Sequence, residues 1–223
     1  MRISEPPPAG REMSHVVLLG DSIFDNAAYV HGAPDVIEQV RKRLPGGWTA
    51  TLCAVDGDVT GDVPRQLKRV PHGATHLVMS VGGNDALGHL DLLAEGTQSM
   101  AAALDRLAEV AEGFERKYLA ALDAVLARGL PTAICTIYYP RFPDAYQQRL
   151  GVAALTHFND TIQRAAYTAG IPLLDLRLIC NEDADYANPV EPSTRGGDKI
   201  AAAIVRAVTE HDFGRRRTEV FVR

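Results

Sequence analysis

Short apolar runs alternate with helical stretches along almost the whole chain. The five apolar runs lie at 15–19, 48–55, 76–81, 131–138 and 171–174. The stretches with apolar residues at helical spacing lie at 35–44, 97–128, 145–169 and 199–208. This alternation is typical of α/β folds, in which right-handed crossovers place helices on both faces of a mostly parallel sheet. The sequence therefore predicts a three-layer α/β/α sandwich around a five-stranded, mostly parallel sheet.

Composition predicts one folded domain flanked by two short segments. The 223 residues are 46% hydrophobic, and no linker rich in Pro, Gly and Ser divides the middle of the chain. A chain of this size buries enough apolar surface for one sizeable core. We expect the domain to span 14–214, after a disordered N-terminal segment at 1–13 and before a basic C-terminal tail at 215–223.

Charge and cysteine spacing restrict the partners and the compartment. The formal net charge is −5, which favours neither nucleic acid nor an anionic membrane surface as a partner. The first eleven residues contain no apolar stretch of the kind found in signal peptides and membrane anchors. Cys53, Cys135 and Cys180 form no metal-ligand pattern, and their odd number favours a reducing compartment. We predict a cytoplasmic protein with no cofactor, no metal and no stable membrane insertion, and its oligomeric state stays open.

Polar segments directly follow three consecutive predicted strands. They are GDSIFDN at 20–26, DGDVT at 56–60 and GGND at 82–85. Each segment alone is typical of an ordinary turn or helix cap. Ligands of open α/β sheets, however, bind outside the carboxyl ends of the strands, which all lie at one edge. The ordered set therefore predicts a shared functional site at that edge.

The residue types in these segments suit nucleophilic attack on a carbonyl group. A serine on a tight turn between a strand and a helix exposes its hydroxyl, so Ser22 is the predicted nucleophile. Its own N–H, the N–H of Gly57 and the side-chain amide of Asn84 are the predicted donors to the oxyanion. Gly57 suits this role because it has no side chain to block the approach of a ligand.

The three segments resemble the first three blocks of the SGNH/GDSL hydrolases. The resemblance spans about residues 15–210, and the GDS and GGND motifs occur in the family order about 60 residues apart. It implies a flavodoxin-like fold and metal-free hydrolysis of esters through an acyl-enzyme. Substrates in the family range over acyl esters, thioesters and acetylated sugars, so the resemblance implies a reaction class and leaves the substrate open.

The last block departs from the family pattern. The family has an Asp-x-x-His-Pro segment there, whose histidine activates the serine and whose aspartate orients the histidine. This chain reads Asn188-Pro189-Val190-Glu191-Pro192, so Glu191 stands at the histidine position and Asn188 at the aspartate position. A carboxylate in water is about two pKa units less basic than imidazole, and burial reduces that difference.

Three interpretations of this change stay open. In the first, Glu191 is itself the general base for Ser22. In the second, a histidine from elsewhere takes that role, and His31 and His89 lie near the correct edge of the sheet. In the third, hydrolysis is lost and the chain binds a small carbonyl or anionic ligand. The neutral Asn188 favours the first interpretation, because an aspartate at that position would repel Glu191.

Four further residues are predicted to contact the substrate: Asp21, Asn26, His89 and Asn188. The apolar residues near the third block that are candidates for an acyl pocket are Met79, Leu87, Leu90, Leu92 and Leu93. Ordinary core packing accounts for these apolar residues equally well. The leading hypothesis is a serine esterase that acts on small or medium acyl esters, and its only predicted partner is that small-molecule substrate.

Overall fold

The computed structural model of the protein describes residues 13–222. All but Met13 of the predicted disordered segment therefore lies outside the described residues. The strands are β1 (Ser14–Gly20), β2 (Trp48–Leu52), β3 (His76–Ser80), β4 (Thr132–Cys135), β5 (Leu173–Leu174), β6 (Tyr186–Asn188), β7 (Glu191–Pro192) and β8 (Val220–Phe221). The helices are α1 (Val36–Arg43), α2 (Val63–Leu67), α3 (Gly83–Leu87), α4 (Met100–Leu126), α5 (Ala145–Ala169), α6 (Leu176–Ile179) and α7 (Thr194–Glu210).

The main sheet is parallel, with strand order β2-β1-β3-β4-β5-β8. Successive residues of a strand point to opposite faces, and the last five residues of β1 are buried on both. Val16 and Leu18 belong to a core shared with α1, α6 and α7. Val17 and Leu19 belong to a second core shared with α2, α4 and α5. This arrangement confirms the predicted three-layer α/β/α sandwich.

The sheet has six strands, one more than predicted. The additional strand, β8, pairs in parallel with β5 and buries Phe221. It lies within 215–223, the segment that the sequence analysis treats as a basic tail. Two paired residues after a run of arginines are too few to produce a recognisable apolar run, which is why the sequence pattern does not reveal this strand.

Helix α7 begins five residues earlier than the apolar spacing predicts. Ser193 caps it, since its Oγ accepts a hydrogen bond from the N–H of Gly196 at 3.2 Å. The two-residue strand β7 directly precedes this cap and pairs antiparallel with β6. The cap therefore fixes the position of β7, which contains Glu191, relative to the main sheet. Within the described residues, no helix is both long and apolar enough to cross a membrane.

Candidate active site

Ser22 lies on the turn after β1, at the point where the strand order of the sheet reverses. β2 and β3 flank β1 on opposite sides, and ligands of parallel sheets bind in the crevice at such a point. The N–H of Asp25 closes the turn by donating to the carbonyl oxygen of Asp21 at 3.1 Å. Ser22 itself is only 5% exposed.

Gly20 allows this turn to approach β3 closely. Its φ is +133°, and a Cβ atom there would lie 1.7 Å from the carbonyl oxygen of Ser80. The next residue, Asp21, donates its N–H to that same oxygen at 3.2 Å. No side chain fits at position 20, which gives a physical reason for the glycine of the GDS segment.

The hydroxyl of Ser22 is hydrogen-bonded to Glu191. Ser22 Oγ donates to Glu191 Oε1 at 3.0 Å, although the two residues are 169 positions apart in the chain. A nucleophile and its general base need this kind of direct contact. Within residues 13–222, none of the seven histidines forms a hydrogen bond with Ser22. His31 is exposed on the surface, and His89 is exposed at the mouth of a cavity.

The tight turn from Asn188 to Glu191 holds the glutamate in place. The side-chain oxygen of Asn188 accepts the N–H groups of Val190 and Glu191 at 2.9 and 3.0 Å. The hydroxyl of Tyr138 donates to the carbonyl oxygen of Val190 at 2.6 Å. Asn188 thus fixes the backbone that carries Glu191, a different role from the substrate contact that the sequence analysis predicts for it.

Gly57 and Asn84, the two other predicted oxyanion donors, are linked through Asp58. Gly57 has φ +82° and lies in the turn that the N–H of Asp58 closes on the carbonyl oxygen of Val55 at 3.1 Å. Asn84 Nδ2 donates to the carbonyl oxygen of Asp58 at 2.9 Å. This bond uses one of the two amide protons of Asn84, so the other is available to a ligand. Asn84 lines the same cavity as Ser22, whereas Gly57 does not contribute to its wall.

Gln66 connects the first and second polar segments. Its side chain exchanges two hydrogen bonds with the backbone of Gly20, at 2.7 and 2.6 Å, and donates a third to Asp58 Oδ2 at 2.8 Å. It is completely buried. Nothing in the local sequence marks this glutamine, because its role appears only when α2 is packed beneath the turn.

The sequence analysis does not single out Tyr138 either. Its position just after β4, at the same edge of the sheet as the other polar segments, is the signal that could have indicated it.

Asn26 is a structural residue in this fold. It is fully buried, and its amide donates to the carbonyl oxygen of Pro192 at 3.2 Å and accepts the N–H of Val36 at 2.9 Å. Both polar groups of its side chain are therefore engaged with backbone. This corrects the prediction that Asn26 contacts the substrate, and it explains how the first and last blocks are tied together.

Burial controls the charge of Glu191. Removal of its carboxylate from water raises its pKa to about 7, against the opposing effect of the hydrogen bond from Ser22, and the negative charge of Asp56 raises the pKa further. Its second oxygen, Oε2, is buried and has no hydrogen-bond partner within the described protein. At neutral pH this glutamate therefore changes readily between its charged and neutral forms.

Asp21 lines the same cavity and is also buried. Burial raises its pKa to about 8, although the N–H of Ile23 donates to Asp21 Oδ1 at 3.1 Å and opposes the shift. The negative charges of Glu191 and Asp85 raise the pKa further. Two neighbouring carboxyl groups thus have pKa values at or above neutrality.

Replacement of Asp21 by asparagine is expected to stabilise the protein at pH 8. In the unfolded chain an aspartate loses its proton near pH 4, whereas folded Asp21 keeps it until about pH 8. The folded state therefore binds the extra proton between these values, and its stability falls as pH rises by up to about 1.4 kcal/mol per unit. Asp21→Asn should reduce this slope in urea unfolding curves recorded from pH 5 to 8. Asp105→Asn, exposed on α4, is the matched control, and an unchanged slope in Asp21→Asn would contradict the assignment.

Asn188 offers a test of how the glutamate is held. Asn188→Asp keeps an acceptor for both N–H groups but adds negative charge near Glu191, so the pKa of Glu191 should rise. The midpoint of the pH profile of kcat/KM should then move upward by roughly half a unit to one unit. Asn188→Ala removes both hydrogen bonds and should lower kcat/KM about tenfold with little shift of the midpoint. Identical profiles for the two variants would show that Asn188 does not act through Glu191.

A cavity of about 480 Å³ extends away from Ser22. One end is formed by polar residues of the site, namely Asp21, Ser22, Asn84 and Glu191. The remainder lies between the N-terminal halves of α4 and α5, and four of the predicted acyl-pocket residues line it: Leu87, Leu90, Leu92 and Leu93. The fifth, Met79, is fully buried in the core on β3 and does not line the cavity, which corrects that part of the prediction.

Comparison with known proteins gives a family and a set of similar folds. The model of the GDSL-like lipase/acylhydrolase family matches residues 18–198, a range that contains all four polar blocks. Comparison with curated proteins gives no match.

Several solved structures share the fold at low sequence identity. An extracellular lipase from Streptomyces rimosus is 19% identical, with 87% of this chain and 99% of that chain covered and a TM-score of 0.64. A phospholipase A1 from Streptomyces albidoflavus NA297 is 18% identical, with 86% and 98% covered and a TM-score of 0.58. An acetyl xylan esterase is 19% identical, with 87% and 99% covered and a TM-score of 0.64. At these identities the likeness concerns the fold alone.

Proposed function

Because this chain belongs to the GDSL-like lipase/acylhydrolase family, we propose that it is a serine esterase with an unusual pair, Ser22 as nucleophile and Glu191 as general base. The observation that carries the proposal is the 3.0 Å hydrogen bond from Ser22 Oγ to Glu191 Oε1 at the polar end of a cavity. The glutamate occupies the sequence position of the family histidine, and here it makes the contact which that histidine would need.

Acylation of the enzyme follows from this contact. Glu191 Oε1 accepts the hydroxyl proton while Ser22 Oγ bonds to the carbonyl carbon of the ester. The carbonyl oxygen becomes an oxyanion, for which we propose the free amide proton of Asn84 and the N–H groups of Ser22 and Gly57 as donors. The intermediate collapses when the bond to the alcohol oxygen breaks, and Glu191 returns its proton to the departing alcohol.

Deacylation repeats the sequence with water. Glu191 takes a proton from a water molecule while the oxygen of that water attacks the acyl carbon. The Ser22 oxygen then leaves and receives this proton from Glu191, and the acid product is released. The unpartnered Oε2 of Glu191 is a second acceptor in the same carboxylate. It provides a place for a donor from the leaving alcohol or the incoming water while Oε1 stays near Ser22.

The raised pKa of Glu191 removes the main objection to a carboxylate base. A glutamate in water, with a pKa of about 4.3, is a much weaker base than imidazole at about 6.5. Burial brings the pKa of Glu191 to about 7, so its basicity is comparable to that of a free imidazole. Asn188 contributes no charge, so the turn supports the glutamate without repelling it.

A small-molecule ester is the proposed partner, and the cytoplasm is the proposed compartment. Cys53, Cys135 and Cys180 are all free and buried, which is compatible with a reducing environment.

Labelling with an alkyl fluorophosphonate tests the proposal directly. The reagent should phosphonylate the oxygen of Ser22, and peptide mass spectrometry should find the adduct on that residue alone. Glu191→Gln should slow the reaction at pH 8, because the hydroxyl then lacks a base. If Ser22 stays unlabelled while the cavity binds a small carbonyl compound or anion, the chain is a binding protein on a hydrolase fold.

A further inference from the structure

Two apolar helix faces, one on α4 and one on α5, line the cavity. On α4 the face consists of Ala103, Leu107 and Val110, and on α5 it includes Gly151 and Ala154. These positions repeat at the three- and four-residue spacing that normally marks a packed helix interface. Further along, α4 and α5 do pack, as Phe114 contacts Phe158 with ring centroids 4.6 Å apart. On the N-terminal side of this contact, the two helices therefore enclose a space that has an apolar lining.

The mouth of this space is apolar as well. Met100, Leu104 and Tyr146 line the cavity, yet they are 76%, 57% and 61% exposed. Apolar groups exposed together at a cavity mouth are costly in water and mark a binding site for an apolar ligand. A straight hydrocarbon chain fits this lining, because it needs no hydrogen-bond partner along its length.

The volume of the cavity sets the length of that chain. A water-sized group takes roughly 30 Å³, and a methylene group is of similar size. A cavity of about 480 Å³, which includes the polar end, therefore has room for an ester group together with a chain of on the order of ten such groups. An acetyl or butyryl group would leave most of this apolar surface uncovered.

Charge at the polar end selects a neutral head group. Asp21 and Glu191 lie there with Ser22. Within the described part of the chain, Arg106 is the only lysine or arginine that lines the cavity, and it is paired with Glu95. At pH 8, where Glu191 is largely ionised, a carboxylate at Ser22 would thus meet negative charge without a compensating cation. An uncharged ester would not, and the acid product would be repelled from the site.

We propose that the cavity binds the acyl chain of a neutral ester with a straight acyl group of about eight to twelve carbons. The ester carbonyl lies at Ser22, and the alkyl chain runs between α4 and α5 towards Leu104. This inference rests on the proposed esterase function for its catalytic part, and it assigns a longer acyl group than the small or medium esters expected from the sequence.

Binding of 1-decanol to Ser22→Ala tests the cavity without requiring catalysis. Calorimetry and saturation-transfer NMR should detect 1-decanol binding, weaker 1-hexanol binding, and decanoate binding at pH 8 that is at least tenfold weaker than that of 1-decanol. Ala154→Trp fills the cavity and should abolish 1-decanol binding, whereas Ala153→Trp, at the exposed neighbouring position on α5, should not. Absence of 1-decanol binding in both Ser22→Ala and the unmodified protein would overturn the proposal.

Hydrolysis of p-nitrophenyl esters from acetate to dodecanoate gives the second measurement. The value of kcat/KM should rise about three- to fourfold per added methylene up to about ten carbons, as expected for burial of each group. Ala154→Trp should lower kcat/KM for the decanoate by at least about tenfold more than for the acetate, and thermal unfolding of the same sample should show that the variant is folded. Ala103→Trp on the facing helix should act in the same way, with Ala108→Trp, exposed on the same helix, as its control. A flat series in an active enzyme would overturn the chain-length assignment.

The two measurements separate the two proposals. If 1-decanol binds and no ester of any length is hydrolysed, the esterase proposal fails and the alkyl site stands. If acetate is hydrolysed and 1-decanol does not bind, the esterase proposal stands and the alkyl site fails.

Discussion

Replacement of Ser22 by alanine is expected to lower kcat/KM for p-nitrophenyl esters by at least about a thousandfold. The substitution removes the atom that forms the acyl-enzyme, and nucleophile removal in serine hydrolases leaves only the residual effect of oxyanion stabilisation and binding. Because Ser22 is small and its hydroxyl makes one hydrogen bond, to Glu191, the fold should survive. Initial rates at pH 8, with thermal unfolding measured on the same samples, provide the test.

Ser80→Ala is the matched control for this experiment. Ser80 ends β3, is buried and lines the same cavity as Ser22, but its hydroxyl makes no hydrogen bond with Glu191. Its replacement should change kcat/KM by no more than a few fold. Activity retained in Ser22→Ala at a level close to that of Ser80→Ala would mean that another group attacks the ester, and the nucleophile assignment would be wrong.

The parts of the site near β1 and β3 could be predicted because their polar residues directly follow these strands in the sequence. Each polar segment directly follows a buried strand, so a parallel sheet brings Ser22 and Asn84 together wherever the helices pack. The required glycine at position 20 is visible in the same way, since the turn must pass close to β3. These inferences need only the order of the elements and the rule for strand ends.

The contact between Ser22 and Glu191, by contrast, could not be predicted from the order of the elements. The sequence could mark Glu191 only through its alignment with a family histidine. Whether its carboxylate reaches the serine depends on the Asn188 turn, the cap at Ser193 and the hydroxyl of Tyr138. The turn and the cap are local contacts, but the hydrogen bond from Tyr138 joins residues 52 positions apart, and no periodicity in the sequence encodes it. The hydrogen bond from Asn26 to Pro192, which ties the first block to the last, is non-local in the same way.

The length of the acyl cavity was equally inaccessible to sequence reasoning. Leucines that line a cavity and leucines that fill a core have the same spacing on a helix. Met79 on β3 and Leu93 after it are likewise both apolar residues near the third block, and only packing distinguishes the first, which is fully buried, from the second, which lines open space. The distinction depends on how α4 and α5 pack around the cavity, a property of two helices and not of either alone.

Removal of the Glu191 carboxylate is the second change expected to have a large effect. Glu191→Gln keeps the size of the side chain and a hydrogen bond to Ser22 but cannot accept the proton, so kcat/KM should fall by about 10²–10⁴-fold at pH 8. His89→Ala, at the mouth of the cavity, should change kcat/KM by only a few fold. The opposite result, a large loss in His89→Ala and a small one in Glu191→Gln, would move the base to the histidine.

The pH profile provides the sharper form of this prediction. Glu191 must be ionised to act as a base, and its pKa lies at about 7, so kcat/KM should increase about tenfold per unit below that pH and reach a plateau above it. An ordinary glutamate would give a plateau from about pH 5.

The double variant Asn188→Asp/Glu191→His rebuilds the family pair and should recover activity, because the aspartate then orients an imidazole in the same place. Glu191→His alone, beside a neutral Asn188, should recover much less. A higher kcat/KM of the double variant than of Glu191→His would show that the residue at 188 must suit the base at 191. Equal kcat/KM values of the two variants would contradict this coupling.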